Sequence, residues 1–304
     1  MENQRRVIAL GFFDGVHLGH GALLRRVAEA AEAENARPCA FTFDQSPAAA
    51  LTGQTVPLLT AVEDRRWLME TLYGIREMVV APFSLMRDMD WRDFVTDYLQ
   101  KELGVVHAVA GHDFRFGRGG EGGPQRLAEL CARLGIGCDI IPRVEVDGVT
   151  VSSTRIRALV AEGEMEKAAR FLGHPHVLSG TVVHGHELGR TLGTPTANLP
   201  IPEGVAAPAF GVYASRVILP DGEARPAVTN VGVRPTVNRG GLGVTVEPWI
   251  LDYQGDLYGK TIRLELRKRL RPERRFDSTD ELRAAILRNA EETRQYFAEE
   301  RTPC

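Results

Sequence analysis

The stretch from Val7 to His20, VIALGFFDGVHLGH, constrains the fold of this chain more than any other. Its first seven residues form a short apolar run rich in strand formers, long enough for one buried strand. Asp14-Gly15 breaks the run, and His17-Leu18-Gly19-His20 opens an amphipathic stretch reaching about Ala36. Strand, glycine turn and helix make the first half of a βαβ unit. The ligand site of such a unit lies beyond the strand's carboxyl end, where the helix N-terminus offers free N–H groups to an anion. Two histidines three residues apart at that place can both face a phosphate, and Gly19 lets backbone and phosphate approach closely. Taken alone, an HxGH string is equally two ordinary surface histidines. Its attachment to a glycine turn at a strand end favours nucleotide phosphate binding.

The remaining bulk properties set the class. A length of 304 residues suggests two domains, each able to bury its own core. The net charge of −3 carries no signature of a nucleic-acid or membrane surface, so neither partner is expected. Cys39, Cys131, Cys138 and Cys304 are scattered with no CxxC pair, which argues against a zinc site or disulfide framework. No apolar segment approaches the roughly 20 residues that span a bilayer. The run after MENQRR is too short for a signal-peptide core. The expectation is a cytoplasmic protein.

From residue 7 to about 142, strand and helix patterns alternate. Strands are expected at Val7–Phe13, Cys39–Phe43, Glu77–Pro82, His107–Gly111 and Gly137–Pro142. Helices are expected at Leu18–Asn35, Ala61–Tyr73, Trp91–Leu103 and Pro124–Leu134. This is the pattern of a doubly wound, Rossmann-like parallel sheet. Ala48–Pro57 is small, polar and breaker-rich and reads as a mobile loop near the site. Gly111–Gly123 contains GxGxxG at Gly117, Gly119 and Gly122, but several residues after its strand rather than at the tight turn a dinucleotide fingerprint requires. Val144–Val151 reads as a hairpin about Asp147-Gly148. It delivers Ser152-Ser153-Thr154-Arg155-Ile156-Arg157 to the start of a helix, where the hydroxyls are either caps or, with the arginines, a triphosphate cradle.

Two short helices, Arg155–Ala161 and Met165–Phe171, lead to a change of texture at Gly173-His174-Pro175, and the domain boundary is placed there: 1–173 and 174–304. Beyond it, short alternating segments take over at His176–His184, Gly211–Leu219, Ala224–Val231, Val244–Tyr253 and Thr261–Lys268, which reads as a small antiparallel barrel. The amphipathic tail, Ser278 to about Glu299, should be a helix packed across it. Gly259-Lys260-Thr261 mimics the end of a Walker A loop. However, the required glycine falls at Gln254, and TIRLELR alternates as a strand where the motif needs a helix.

GFFDGVHLGH resembles the GNFDGVHLGH signature of the bacterial bifunctional riboflavin kinase/FMN adenylyltransferases, also called FAD synthetases. DFRFG at Asp113–Gly117 and SSTRIR from Ser152 match further segments of that family's nucleotidyltransferase half. In the second half LSGTVVHGHELGRTLGTPTANL, GVYA, TNVGVRPTV, LDYQGDLYGK and RFDSTDEL resemble the riboflavin kinase half, in order. The likeness covers essentially the whole chain. It implies an α/β nucleotidyltransferase domain followed by a riboflavin kinase β-barrel with a C-terminal helix. The substrates implied are riboflavin, FMN and ATP, with FMN and FAD as bound products and Mg²⁺ as the metal.

The resemblance also implies roles for particular residues. His17 and His20 act in adenylyl transfer. Gly11, Asp14, Gly19, Asp113, Phe114, Arg115, Ser152, Ser153, Thr154 and Arg157 hold nucleotide or flavin, and Gly185, Gly189 and Arg190 do so in the kinase half. Thr196 and Asn198 match the PTAN signature as Mg²⁺ ligands; their side chains, two apart on an extended chain, point the same way and offer the oxygen donors that Mg²⁺ prefers. Glu247 occupies the position of the catalytic base. A carboxylate inside the apolar strand VTVEPWIL is costly unless used or paired, which marks it independently.

Three departures stand out. Phe12 replaces a small polar residue, Gln45-Ser46-Pro47 replaces Pro-His-Pro, and Pro248-Trp249 follows Glu247, where Pro248 implies an edge position or a bulge. The first two bear on the efficiency of adenylyl transfer. They leave open a kinase with an impaired adenylyltransferase acting as scaffold; a non-catalytic flavin-binding regulator is disfavoured by intact Thr196, Asn198 and Glu247. A monomer or weak homo-oligomer is expected.

Overall fold

The computed structural model describes residues 4–185, 193–235 and 242–300. The chain divides into two compact units, residues 1–153 and 154–304.

Among the described residues, the first unit holds five parallel strands: β1 Arg6–Leu10, β2 Arg37–Phe43, β3 Glu77–Ala81, β4 Val105–Gly111 and β5 Gly137–Ile141, in the order β3-β2-β1-β4-β5. β1 is central, and the strand order reverses between β1 and β4. That switch point leaves a crevice beyond the carboxyl ends of those two strands. Val7 through Leu10 are at most 1% exposed, so β1 is an unbroken apolar run because both faces are covered. Ile8, Leu10, Phe41, Phe94, Val109 and Leu127 belong to the core of this unit. The long helices match expectation: α1 Leu18–Ala33, and later Pro124–Leu134.

Four local details differ from the sequence reading. β1 stops at Leu10 rather than Phe13, because Phe13 turns to φ 58°. The segment read as a loop at Ala48–Pro57 begins with a helix, α2 Pro47–Thr52; Ser46 caps it by accepting the Ala49 N–H (3.3 Å), and Pro47 occupies its first turn. After α3 Val62–Tyr73, a one-turn helix α4 Phe83–Met86 follows β3 directly. The helix expected at Trp91–Leu103 begins as α5 Trp91–Asp93 and continues from Phe94 to Glu102 as a π-helix. Then come α6 Pro124–Leu134 and the hairpin β6 Glu145–Val146 and β7 Val149–Thr150. Its turn residues Asp147 and Gly148 both have positive φ, as a tight two-residue hairpin requires.

The second unit opens with α7 Ser153–Glu162, whose first residue still belongs to the first unit, and α8 Met165–Leu172. The barrel strands are β8 His176–Thr181, β9 Leu199–Pro200, β10 Gly211–Ile218, β11 Ala224–Pro235, β12 Leu242–Ile250 and β13 Thr261–Pro272, in the antiparallel order β8-β13-β10-β11-β12-β9. The ends of this sheet approach each other at an antiparallel bridge between Val183 and Asn198, where the Val183 N–H donates to the Asn198 carbonyl (3.0 Å). The barrel is thus nearly closed, and Asn198 sits on its seam. The terminal helix α9 Thr279–Glu300 packs on β10 and β11, with Ala290 against Val212, Val228 and Leu251.

α8 buries Met165, Ala168 and Leu172 and contacts β8 and β13, while the Ala209 N–H donates to the Val160 carbonyl of α7 (3.2 Å). Burying side chains such as Met165 and Leu172 contributes about 1.5–3 kcal/mol each. A fragment starting at residue 154 should therefore melt well above one starting at residue 174. Equal melting temperatures would show that α7 and α8 do not support the barrel.

His176, paired with Leu266 in the barrel ladder, is buried, and its Nε2 has no hydrogen-bond partner among the described residues. Burial, reinforced by His174, pulls its pKa down to about 4. The unfolded chain titrates near the ordinary value, so between about pH 6.5 and pH 4 it binds the proton that the folded barrel refuses. Stability falls as pH drops through that window, by on the order of 3 kcal/mol from this residue. His176→Leu should narrow the difference in melting temperature between pH 7.5 and pH 4.5. An unchanged difference would refute the assignment.

Candidate functional site

The turn after β1 is built from conformations that side chains rarely adopt. Phe13 (φ 58°), Gly15 (φ 81°) and Val16 (φ 44°) all lie in the left-handed region, a strain that a β-branched residue such as Val16 accepts only when its surroundings impose it. Asp14 supplies part of that imposition. Its buried carboxylate accepts the N–H groups of Leu59 (2.7 Å) and Thr60 (3.2 Å), while the Gly15 N–H donates to Thr60 Oγ1 (2.9 Å). Ser153, at the start of α7, donates its hydroxyl to the Asp14 carbonyl (2.9 Å).

His17 caps α1, its Nδ1 accepting the His20 N–H (3.3 Å). In the neutral ring the proton therefore sits on Nε2, leaving that edge as a donor. The two imidazoles stack at 3.6 Å between centroids, and the Phe13 ring meets His20 edge-on at 5.1 Å. Glycines make this packing possible: a Cβ at Gly19 would lie 3.1 Å from the His17 ring, and one at Gly11 would lie 3.0 Å from the Phe13 ring. Burial, then the neighbouring His17 and Arg65, hold the His20 pKa well below the ordinary histidine value, so His20 is neutral at pH 7.

Beyond β4, on the other side of the switch point, come Asp113, Phe114 and Arg115. The Phe114 N–H donates to the Gly111 carbonyl (3.1 Å), and the Phe114 and Phe116 rings lie 5.5 Å apart. Arg115 and Phe116 line a cavity of about 540 Å³ with Phe43, Phe83, Met86 and Phe94. That size and aromatic lining suit a planar, multi-ring ligand. Pro47 and Leu51 of α2 also border it, so the segment with Gln45-Ser46-Pro47 serves as a capped helix at the cavity's edge. Thr154 and Arg157 belong to the second unit, where Arg157 Nη2 donates to Thr154 Oγ1 (3.2 Å).

In the barrel, β12 pairs with β9 through Thr245–Pro200 and Val246–Leu199. Continuing that register by one residue sets Asn198 opposite Glu247, and β11 sets Asn230 opposite Glu247 on the other side. Glu247 is thus buried in a row of two carboxamides. Pro248 lies beyond the short β9, where β12 has one strand neighbour; its carbonyl accepts the Ala197 N–H (2.9 Å), so the edge position expected of this proline is observed. A second cavity of about 540 Å³ is lined by Thr196, Pro195, Pro248, Tyr253, Asp256 and Tyr258.

Thr196 and Asn198 present hard oxygen donors. A Cβ at Gly185 would collide with the Asn198 carboxamide, so this glycine leaves that side chain its space. The donor set fits Mg²⁺, which takes a few protein oxygens and keeps waters and phosphates as its other ligands. Gly189 and Arg190, also assigned to nucleotide binding, lie outside the described residues.

Comparison with known proteins agrees with both halves. A family model described as FAD synthetase matches residues 1–155, and one described as riboflavin kinase matches residues 172–297. The bifunctional riboflavin kinase/FMN adenylyltransferase of Escherichia coli (strain K12) is 37% identical over 294 residues, spanning 96% of this chain and 92% of that protein. The chain belongs to the bifunctional riboflavin kinase/FMN adenylyltransferase family. The member from Listeria monocytogenes serovar 1/2a is 34% identical over 96% of this chain and 93% of its own length. A crystal structure described as a macrolide-efflux protein from Streptococcus pneumoniae has a TM-score of 0.82 at 30% identity, covering 96% of this chain and 94% of that one. Among the described residues of the present family member, no helix is long and apolar enough to cross a membrane.

Three contributors to the adenylyltransferase turn escaped the sequence reading: Thr42, Thr60 and Arg65. Each comes from a different segment and carries no local motif. Only a charged residue predicted for the buried side of its helix would have singled out Arg65.

Proposed function

We propose that this chain makes FMN and FAD in two separate halves, with residues 174–304 phosphorylating riboflavin from ATP and residues 1–173 adenylylating FMN from a second ATP. In the kinase half, Glu247 accepts the proton of the riboflavin primary alcohol as its oxygen attacks the γ-phosphorus. Thr196 and Asn198 hold Mg²⁺, which when bound offsets phosphate charge, and Gly185, Gly189 and Arg190 border the ATP. In the adenylyltransferase half, the FMN phosphate attacks the α-phosphorus in line and pyrophosphate leaves. His17 and His20 donate hydrogen bonds to the phosphates, with Gly11 and Gly19 giving them access. Asp14 holds the turn from within. Ser152, Ser153, Thr154 and Arg157 grip the ATP and departing pyrophosphate, and Asp113, Phe114 and Arg115 border the flavin. The chain acts in the cytoplasm as a monomer or weak homo-oligomer, without nucleic-acid or membrane partners.

The observation that carries the reading is the strained Phe13–Val16 turn that leads into the His17–His20 pair at the carboxyl end of the central strand, beside a switch point. Chromatography of products from riboflavin, ATP and Mg²⁺ tests it. FMN should appear first and FAD after a lag, because Phe12 and Gln45-Ser46-Pro47 alter the adenylyltransferase half, and chelating the Mg²⁺ should stop FMN formation. FMN without FAD, even with excess FMN and ATP supplied, would make the first half a scaffold. FAD without a lag would make the substitutions silent.

A further inference from the structure

Arg65, in the first turn of α3, is fully buried, yet only one of its nitrogens is hydrogen-bonded. Nη1 donates to the Phe12 carbonyl (2.8 Å) and to Thr42 Oγ1 (2.9 Å), whereas Nε and Nη2 have no hydrogen-bond partner among the described residues. The guanidinium instead lies over the Phe12 ring, 4.7 Å from its centroid. A sealed cation with unfilled donors is an expensive element.

Its contacts converge on one point. The Phe12 carbonyl receives both Arg65 Nη1 and the Thr42 hydroxyl (2.8 Å), and Phe12 immediately precedes the left-handed Phe13. Phe12 is also the position where the family resemblance calls for a small polar residue. In this chain the ring supplies an aromatic face for the guanidinium. Arg65 is therefore matched to the substitution rather than indifferent to it.

We propose that Arg65 is a positioning residue of the adenylyl-transfer site, clamping Phe12 by carbonyl and ring so that the strained turn presents His17 and His20 to a nucleotide phosphate. This rests on the assignment of that turn to adenylyl transfer. The groups facing His20 are His17 on its own helix, the Phe13 ring from the turn and Arg65 from α3; Arg65 in turn feels Asp14 and Glu63. The positive charge beneath the turn acts in a low-dielectric interior, where it reaches farther than in water.

The test is the steady-state kinetics of FAD formation in the full chain, with FMN formation as the internal control for intact protein. Arg65→Met should lower kcat for adenylyl transfer by about 10–10²-fold, since displacement by an ångström costs on that order, with KM for FMN and ATP within about twofold of the parent. Phe12→Leu should do the same more weakly, and the double variant should lose less than the product of the two effects because both break one clamp. If Arg65→Met does not fold, Phe12→Leu and Thr42→Val decide by the same criterion. Folded variants whose adenylyl-transfer kcat stays within about twofold of the parent would overturn the proposal. His20→Ala separates the two layers. If that variant still makes FAD at the parent rate, the assignment of the turn fails; if it does not, and the clamp variants do, only the role of Arg65 fails.

Discussion

Replacing Glu247 by glutamine is expected to lower FMN formation by about 10²–10⁴-fold while leaving FAD formation from supplied FMN at the parent rate. The amide keeps the shape and the hydrogen-bonding length of the carboxylate but cannot take a proton. The barrel should tolerate the change, because the amide fills the same space between Asn198 and Asn230. Unaltered thermal stability with lost kinase activity is therefore the signature sought. Glu247→Gln phosphorylating riboflavin at a near-normal rate would remove Glu247 as the base and point to catalysis by positioning and charge alone.

The second large effect is expected at His20. On the role proposed for His20, its replacement by alanine removes a preorganised phosphate donor, and loss of one such donor typically costs about 10²–10³ in rate. FMN formation, which belongs to the other half, should be unaffected, so the variant should convert riboflavin to FMN and stop. Since burial and the neighbouring His17 and Arg65 keep His20 neutral at pH 7, its contribution there is an N–H rather than a full charge. His17→Ala offers a contrast, because His17 also caps α1. Its loss should cost adenylyl transfer and, through the lost cap, about 0.5–2 kcal/mol of stability, whereas His20→Ala leaves that cap in place. Parent-like FAD formation in His20→Ala would move the site away from this turn.

Much of this architecture was legible because it is written in short-range patterns. Val7–Leu10 is apolar on both faces because it becomes a central strand, and the alternating segments after residue 176 do become barrel strands. Asp147-Gly148 announced its hairpin through the positive φ it demands. The HxGH string stood out because it follows a glycine turn at a strand end, and Glu247 because a carboxylate in an apolar strand advertises its cost.

Other features had no local trace. Ala48–Pro57 is rich in small residues and breakers, yet Ser46 and Pro47 start a helix there, because a cap and a fixed φ outweigh weak propensity over one turn and a half. Phe12 read simply as a departure from a motif. Its meaning depends on a guanidinium 53 residues away that nothing nearby in the sequence connects to it. The grouping of α7 and α8 with the barrel is likewise a matter of packing, since their amphipathic faces would suit either unit.

By itself, then, the sequence determined the classes of structure and the order of most strands and helices, and it marked the turn and carboxylate proposed to carry the chemistry, because periodicity, turn chemistry and the cost of burying charge act between near neighbours. Only the tertiary structure decided that Asn198 and Glu247 share a row on the β9–β12 pair, beside the seam. It alone put the site beside the β1–β4 switch, and it alone sealed Arg65 beneath Phe12. Those placements depend on strand order and register, which are selected by burial summed over a whole unit and so cannot be read from any one stretch of it.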